Sequence, residues 1–524
     1  MECLLGSDGL IESANEVVKE KLPSVSNPFQ DDSEKSTIDS AEKAVTELGS
    51  MKTALEKLHD LVESAHNEAQ RRLERLQSGV PFIPNEILSQ ILLFAANCNP
   101  DHVFHTGNAR EEIMCGFRSA VALSHVCRRF RVVALHVLNT PTMWNRIVDS
   151  MTPNVVEACL RRSGIAPLEI FINPFVWTSL KQKQHFKEFI QGISSTADRW
   201  SSFTLYDVTE TLGSKATLDD LTLIEDVFGD LHVPLLERME ICMPHRLSRS
   251  NVDGWVSIIP RRFCQVWNAP KLNTLVAKQF IPQPFSRPTV LSTLDLTFGD
   301  HARKGLNSRE MFDVSRLHLF LLSCPLLENM CLSMSRLNEP ESADSLLRPA
   351  SFVRVKNVTF RFYSCSASFV RAVLGESTFP AATKLTLSLG FPTTYRHELH
   401  QLIEAALYNS RRFPSLVKMA LDIRHDHSSR GSGIEPVDLP FSLLENVKHL
   451  TLQVDKSVDL QLPKGRIPPL HSLCLKNCSR IGMDWVDSFL ETLAEQGDLE
   501  TLEELRTESC EMLEDVSIRC RSAP

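Results

Sequence analysis

Two hydrophobic rhythms divide the chain. Between residues 38 and 76, apolar positions recur by threes and fours: Ile38, Ala41, Val45, Leu48, Met51, Leu55, Leu58, Val62, Ala65, Ala69, Leu73 and Leu76. Their spacing of about 3.5 residues is the heptad value. The intervening Glu56, Lys57, Glu63, Arg71, Arg72 and Glu74 are charged. The pattern predicts a long helix or coiled coil over roughly 37–77, weakened at Gly49 and stopped at Ser78 and Gly79. Self-association through 37–77 and a single amphipathic helix lying on the rest of the protein fit it equally. Residues 1–35 end in the polar, proline-interrupted NPFQDDSEKS and are expected to be a disordered tail.

Two further helical stretches follow. In VPFIPNEILSQILLFAANC, Pro84 suits a first helical turn, and Ile87, Leu88, Ile91, Leu92 and Ala95 make one apolar face. Residues 97–117 are polar and irregular and read as an inserted loop. ALSHVCRRFRVVALHVLNTPTMW (122–144) then reads as one helix up to the Asn139–Thr140–Pro141 break. At about 100° per residue its apolar arc covers roughly 160°, wider than a surface helix requires. Arg128, Arg129 and Arg131 lie opposite, as a solvated face. Such a helix is either central to its own domain or waiting for a partner. Trp144 sits just past the break, where a short turn would fold it back beneath the two helices.

From about residue 165 the rhythm shortens to apolar-x-x-apolar-x-apolar. Trp200, Phe203 and Leu205 begin it, Leu294 and Leu296 or Leu385 and Leu387 continue it, and Leu470, Leu473 and Leu475 close it. The runs recur about every thirty residues, separated by helical patterns at 317–324, 367–375, 397–409 and 483–496. One strand and one helix per unit, repeated about ten times, predicts a leucine-rich solenoid. An α/β domain with leucine-rich parallel strands is the alternative. Phrases such as APKLNTLVA and FPSLVKMAL favour the solenoid.

Composition narrows the functions. The chain of 524 residues carries 65 acidic and 56 basic residues, a net charge of −9. No broad basic field marks it for nucleic acid, and no apolar run reaches membrane-spanning length. The N-terminus lacks a basic region before its apolar residues, so it does not read as a secretory signal. The fourteen cysteines contain no CxxC pair and read as reduced, mostly buried thiols of a soluble intracellular protein. His125 and Cys127 would point about 160° apart on a helix and cannot form a catalytic pair there. His425 and His427 form an HxH with no third ligand at defined spacing. No phosphate loop, GxSxG, HExxH or kinase signature is present. No cofactor, metal or catalytic residue is expected; the chain reads as one that holds other proteins.

The helical segments carry a family resemblance. PNEILSQILLFA and VALSHVCRRFRVVALHVLNTPTMWNRI resemble the F-box motif, here split by the 97–117 insertion. The matching positions are Pro84, Glu86, Ile87 and Leu88; Val126, Cys127, Arg128, Arg129 and Phe130; and Pro141 with Trp144. Phe130 stands where tryptophan is commonest in the family. VVEACLRRSGIAPLEIFI (155–172) and the preceding heptad helix look like the F-box-like proteins of large fungal families. The resemblance implies docking on the SKP-family adaptor of an SCF-type ubiquitin ligase, and through it on cullin. Pro84, Ile87, Leu88, Ile91, Leu123, Val126, Cys127, Phe130 and Trp144 would then divide between the domain's own core and the adaptor interface. The leucine-rich region would bind a target protein of unknown identity. A scaffold using the same fold without a ligase is the second reading.

The expected architecture is therefore mixed α and α/β. A tail (1–35) and a long helix or coiled coil (36–78) come first. A three-helix F-box (80–150), an irregular leucine-rich-repeat solenoid (151–510) and a short tail (511–524) follow. The expected location is cytoplasmic, nuclear or both.

Overall fold

The computed structural model describes residues 34–77, 83–97, 109–135, 141–173, 180–205, 229–242, 265–299, 312–337, 350–392, 397–407, 412–426, 439–456, 458–463, 465–513 and 517–519. The expected N-terminal tail lies outside them but for its last two residues. The chain divides into two compact units, Met1–Leu88 and Ser89–Pro524. In the first, helix α1 (Glu34–Gln77) runs unbroken through Gly49. Its Lys52–Glu56 and Glu68–Arg72 pairs are exposed i, i+4 contacts, worth a few tenths of a kcal/mol each. Val45, Leu48, Leu55 and Val62 are exposed along it. Helix α2 (Asn85–Asn97) carries the chain from the first unit into the second.

The second unit opens with α3 (Ala109–Val126), α4 (Arg128–Leu135) and a 3-10 turn at Pro141–Met143. Then come β1 (Arg146–Val148), α5 (Pro153–Ser163), β2 (Leu168–Ile172), α6 (Leu180–Ser194), β3 (Trp200–Leu205), β4 (Arg238–Cys242), β5 (Thr274–Lys278) and β6 (Thr293–Phe298). Helix α7 (Val314–Leu322), β7 (Asn329–Ser335), β8 (Asn357–Tyr363), α8 (Ala367–Leu374), β9 (Lys384–Pro392) and α9 (His397–Leu407) continue it. Strands β10 (Lys418–Asp426), β11 (His449–Val454) and β12 (Ser472–Lys476), helix α10 (Met483–Gln496), β13 (Glu504–Glu508) and β14 (Ser517–Arg519) complete it. The strands form one fourteen-stranded sheet in strict chain order. Pairing is parallel throughout, except that β14 runs antiparallel to β13.

This is an α/β fold, and it overturns the expected combination of a coiled-coil helix, a three-helix F-box and a leucine-rich-repeat solenoid. The sheet begins at Arg146, inside the segment expected to be helical, and reaches β14 inside the expected C-terminal tail. Nor does a strand–helix unit repeat. Residues 279–292 join β5 to β6 without a helix, and none lies among the described residues between β11 and β12. Prolines are the reason: Pro282, Pro284 and Pro288 in the first connection, and Pro463, Pro468 and Pro469 in the second, remove donors and clash with a helical backbone. Strand spacing alone carries no such information, because any buried parallel sheet repeats one apolar row per strand. The inserted loop expected over 97–117 is also revised, since α3 begins at Ala109.

Register explains the strands. Leu294, Met330, Val358, Leu385, Met419, Leu450, Leu473 and Leu505 are successive partners in one buried row. Leu296, Leu332, Phe360, Leu387, Leu421, Leu452 and Leu475 form the next. Each apolar side chain thus stacks on its counterpart one strand on, and a slip by one residue would expose a whole row.

The strand ends are tied by a recurrent turn. Gln279, Arg336, Ser364 and Asn477 have φ of 68°, 58°, 52° and 52°, and each N–H donates to a carbonyl of the following strand at 2.7–2.8 Å. Cys365 and Cys478 follow two of these positions, and Cys510 follows Ser509 (φ 54°); their thiols donate backwards to Met334 O, Leu452 O and Leu475 O. One turn therefore binds the strands on both sides. Gly299 fills a tighter version, with φ +85° and space for a Cβ only 1.8 Å from Ser335 O. The Gln279 side chain brackets its backbone, with Nε2 donating to Gly299 O (2.7 Å) and Oε1 accepting from Gly299 N (3.0 Å). Gly299→Ala should destabilise the protein by about 2–3 kcal/mol, combining left-handed strain with backbone displacement. Urea denaturation checks this, and an unchanged midpoint would contradict it.

Candidate interaction site

The expected single helix over 122–138 is divided at Cys127. The Cys127 sulfur accepts from Phe130 N–H (3.4 Å) and its carbonyl from Arg131 N–H (3.0 Å), so Cys127 opens α4 as its N-terminal cap. Arg131 Nε donates to Ser124 O at 3.2 Å, satisfying a carbonyl freed in the last turn of α3. A cation there also meets the negative end of the α3 dipole. One of the arginines read as a solvated face thus closes a helix. The helical wheel drawn through Cys127 fails for the same reason.

Trp144 is the centre on which this region converges. It is 2 % exposed. Its Nε1 donates to Ala134 O at 2.8 Å, a carbonyl near the end of α4. Phe117 of α3 meets its ring edge-on, with centroids 6.2 Å apart. The Arg162 guanidinium of α5 lies 4.5 Å over the ring, a cation–π contact. One side chain therefore joins α3, α4 and α5 immediately before the first strand.

The structure separates the nine motif positions. Leu88 and Trp144 are each buried, as are Leu92 and Ala96. Leu123 and Phe130 are half-buried, while Pro84 and Cys127 are exposed. Ile87, Ile91 and Val126 are 53, 46 and 63 % exposed, and so, at 75 %, is Phe94, which the motif did not single out. Ile87, Ile91 and Phe94 are four and three residues apart, so they lie on one face of α2. The i, i+4, i+7 spacing was the signal for Phe94. Val132 on α4 is exposed as well. The exposed Ile87, Ile91 and Phe94 along one face of α2 are the kind of surface that marks an interaction site.

The outward face of the sheet is polar instead. Glu240 on β4 is buried, yet accepts from Lys278 Nζ (3.1 Å) on β5 and Arg238 Nη2 (3.2 Å). Without those partners a carboxylate at that depth would be strongly destabilising. Burial, the largest single influence, lowers the Lys278 proton affinity, but Cys242 and then Glu240 together outweigh it and leave it above its usual value. On β6, Asp295 Oδ1 is buried without a hydrogen-bond partner among the described residues. Further along stand Arg424 with Asp422, and Lys476 and Arg506 with Glu508.

Among the described residues no group of three or more His, Cys, Asp or Glu side chains is arranged to hold a metal. No helix among them is long and apolar enough to cross a membrane. His425 is the penultimate residue of β10, before Asp426, and His427 lies outside the described residues. The arrangement defines an α/β protein with an apolar helical surface and a polar sheet face. No protein-family model matches the chain, and no curated protein is significantly similar to it.

Proposed function

We propose that the protein is a substrate-recognition subunit of an SCF-type ubiquitin ligase, acting in the cytoplasm, the nucleus or both. The observation that carries this reading is the exposure of Ile87, Ile91 and Val126, three positions of the F-box-like sequence motif, and of Phe94 on the same face of α2 as Ile87 and Ile91. Trp144 and Leu88 serve the protein's own interior, which leaves the others free for a helical SKP-family adaptor. The outward sheet face is then the target-binding surface. In this reading the chain performs no covalent chemistry. It raises the effective concentration of target lysines near a loaded conjugating enzyme.

The test is calorimetric titration of the full chain with purified adaptor, for wild type and for Ile91→Asp/Val126→Asp. Both substituted side chains are exposed, so the fold should survive, as circular dichroism would check. Wild type should bind, and the variant should bind at least about a hundredfold more weakly, the loss expected on desolvating two charges at an apolar interface. A folded wild type that does not bind would overturn the proposal, leaving a protein-interaction scaffold outside the ligase.

A further inference from the structure

We infer that the edge formed by Lys384, Lys418 and His449, at the starts of β9, β10 and β11, is a docking surface for an acidic polypeptide segment. The inference deepens the proposed function by naming the chemistry of the target, but its test does not involve the adaptor.

These residues are distant in sequence and adjacent only through register. Lys418 pairs with Lys384 on one side and with His449 on the other. All three alternate with the buried Leu385, Met419 and Leu450, so they share the outward face. Neighbouring strands lie about 4.8 Å apart, and like charges placed side by side at that spacing destabilise a sheet.

Elsewhere along this edge the protein neutralises its own charges. Lys356 Nζ lies 3.0 Å from Glu328 Oε2 before β8, and His471 Nδ1 lies 3.2 Å from Glu503 Oε1 before β12. Between these two pairs, Lys384 and Lys418 make no ion pair among the described residues. His449 reaches only a hydroxyl, with Nδ1 2.9 Å from Ser472 Oγ. Partial burial, then Lys418, His471 and Lys448, hold its imidazole below its ordinary proton affinity, and Glu503 only partly opposes them. The chain carries a net charge of −9, so neighbouring lysines without an ion pair among the described residues depart from the character of the whole protein.

The dimensions select the partner. From Lys384 to His449 the row spans two strand spacings, about 10 Å. Alternate side chains of an extended peptide repeat every 6.8 Å or so, so two or three carboxylates cover it. A nucleic-acid backbone is longer and would meet Glu328, Glu503 and Glu504 at the flanks. Lysine ammoniums also lack the forked geometry that arginine offers to phosphate.

The experiment is fluorescence anisotropy of full-length protein with a labelled (Glu-Ser)6 peptide, using (Gln-Ser)6 as the neutral control. Lys418→Glu should weaken binding about tenfold, and Lys384→Glu/Lys418→Glu should abolish it, with wild-type affinity falling as salt rises. Lys271→Glu changes net charge equally at a remote exposed position and should leave binding within about twofold. Absence of binding by folded wild type, or equal loss in Lys271→Glu, would overturn the inference. So would tighter binding of inorganic phosphate or poly(U) at the same residues. Each of those results leaves the adaptor titration unaffected.

Discussion

Trp144→Ala is expected to lower the stability of the protein by about 3–5 kcal/mol, the range for deleting a fully buried large aromatic side chain. Three losses add. The cavity removes the edge-on partner of Phe117. The carbonyl of Ala134 loses its donor inside the protein, and Arg162 loses the ring beneath its guanidinium. Trp144→Phe keeps an aromatic ring but not the indole N–H, so it should recover much of the loss and leave about 1–2 kcal/mol missing. Chemical denaturation of the three proteins checks the order. A Trp144→Ala protein as stable as wild type would mean that the helices before β1 are not held through this residue.

Raising the pH above about 9 should destabilise the protein steeply, because of its buried thiols. Burial pushes the Cys365 and Cys478 thiols up to about 12, against an ordinary value of 9.0. Backbone hydrogen bonding lowers both only in part. A group whose proton affinity is higher in the folded state contributes stability that is complete below its unfolded pKa. Between pH 9 and 12 the unfolded chain releases these protons while the native protein retains them, so stability falls with rising pH. Each such thiol contributes a slope of about 1.4 kcal/mol per pH unit within that window. Urea titrations at pH 8, 9, 10 and 11 should show the decline. The Cys365→Ala/Cys478→Ala variant, although weaker at pH 8, should decline less. Identical slopes in the two proteins would rule out the thiols as the source.

The site shows where one-dimensional reading stops. A helical wheel assumes a continuous helix, and 122–138 is not one, because a thiol and a guanidinium close two shorter helices at Cys127. Motif matching grouped nine residues, but only their surroundings separate Trp144 from Val126, since burial depends on what the rest of the chain brings alongside. Phe94 was legible from spacing within α2 alone. The basic edge at β9–β11 was not legible, because parallel register joins residues some thirty positions apart.

The sequence by itself determined the local structure: the long helix near 37–77, the helix that begins after Pro84, and the alternation that makes Leu294 and Leu296, or Leu385 and Leu387, the inward positions of strands. These follow from 3.6-residue and two-residue periodicities, which are properties of short segments. The tertiary structure alone decided that fourteen strands join one sheet in chain order. It alone brought Arg412 to carbonyls at Gly375, Ala405 and Ala406, closing two helices at once. It also paired Glu240 with Lys278 and Arg238 and set Lys418 beside Lys384. Those outcomes depend on distances between segments remote in sequence, and hydrophobic periodicity, being short-ranged, carries no record of them.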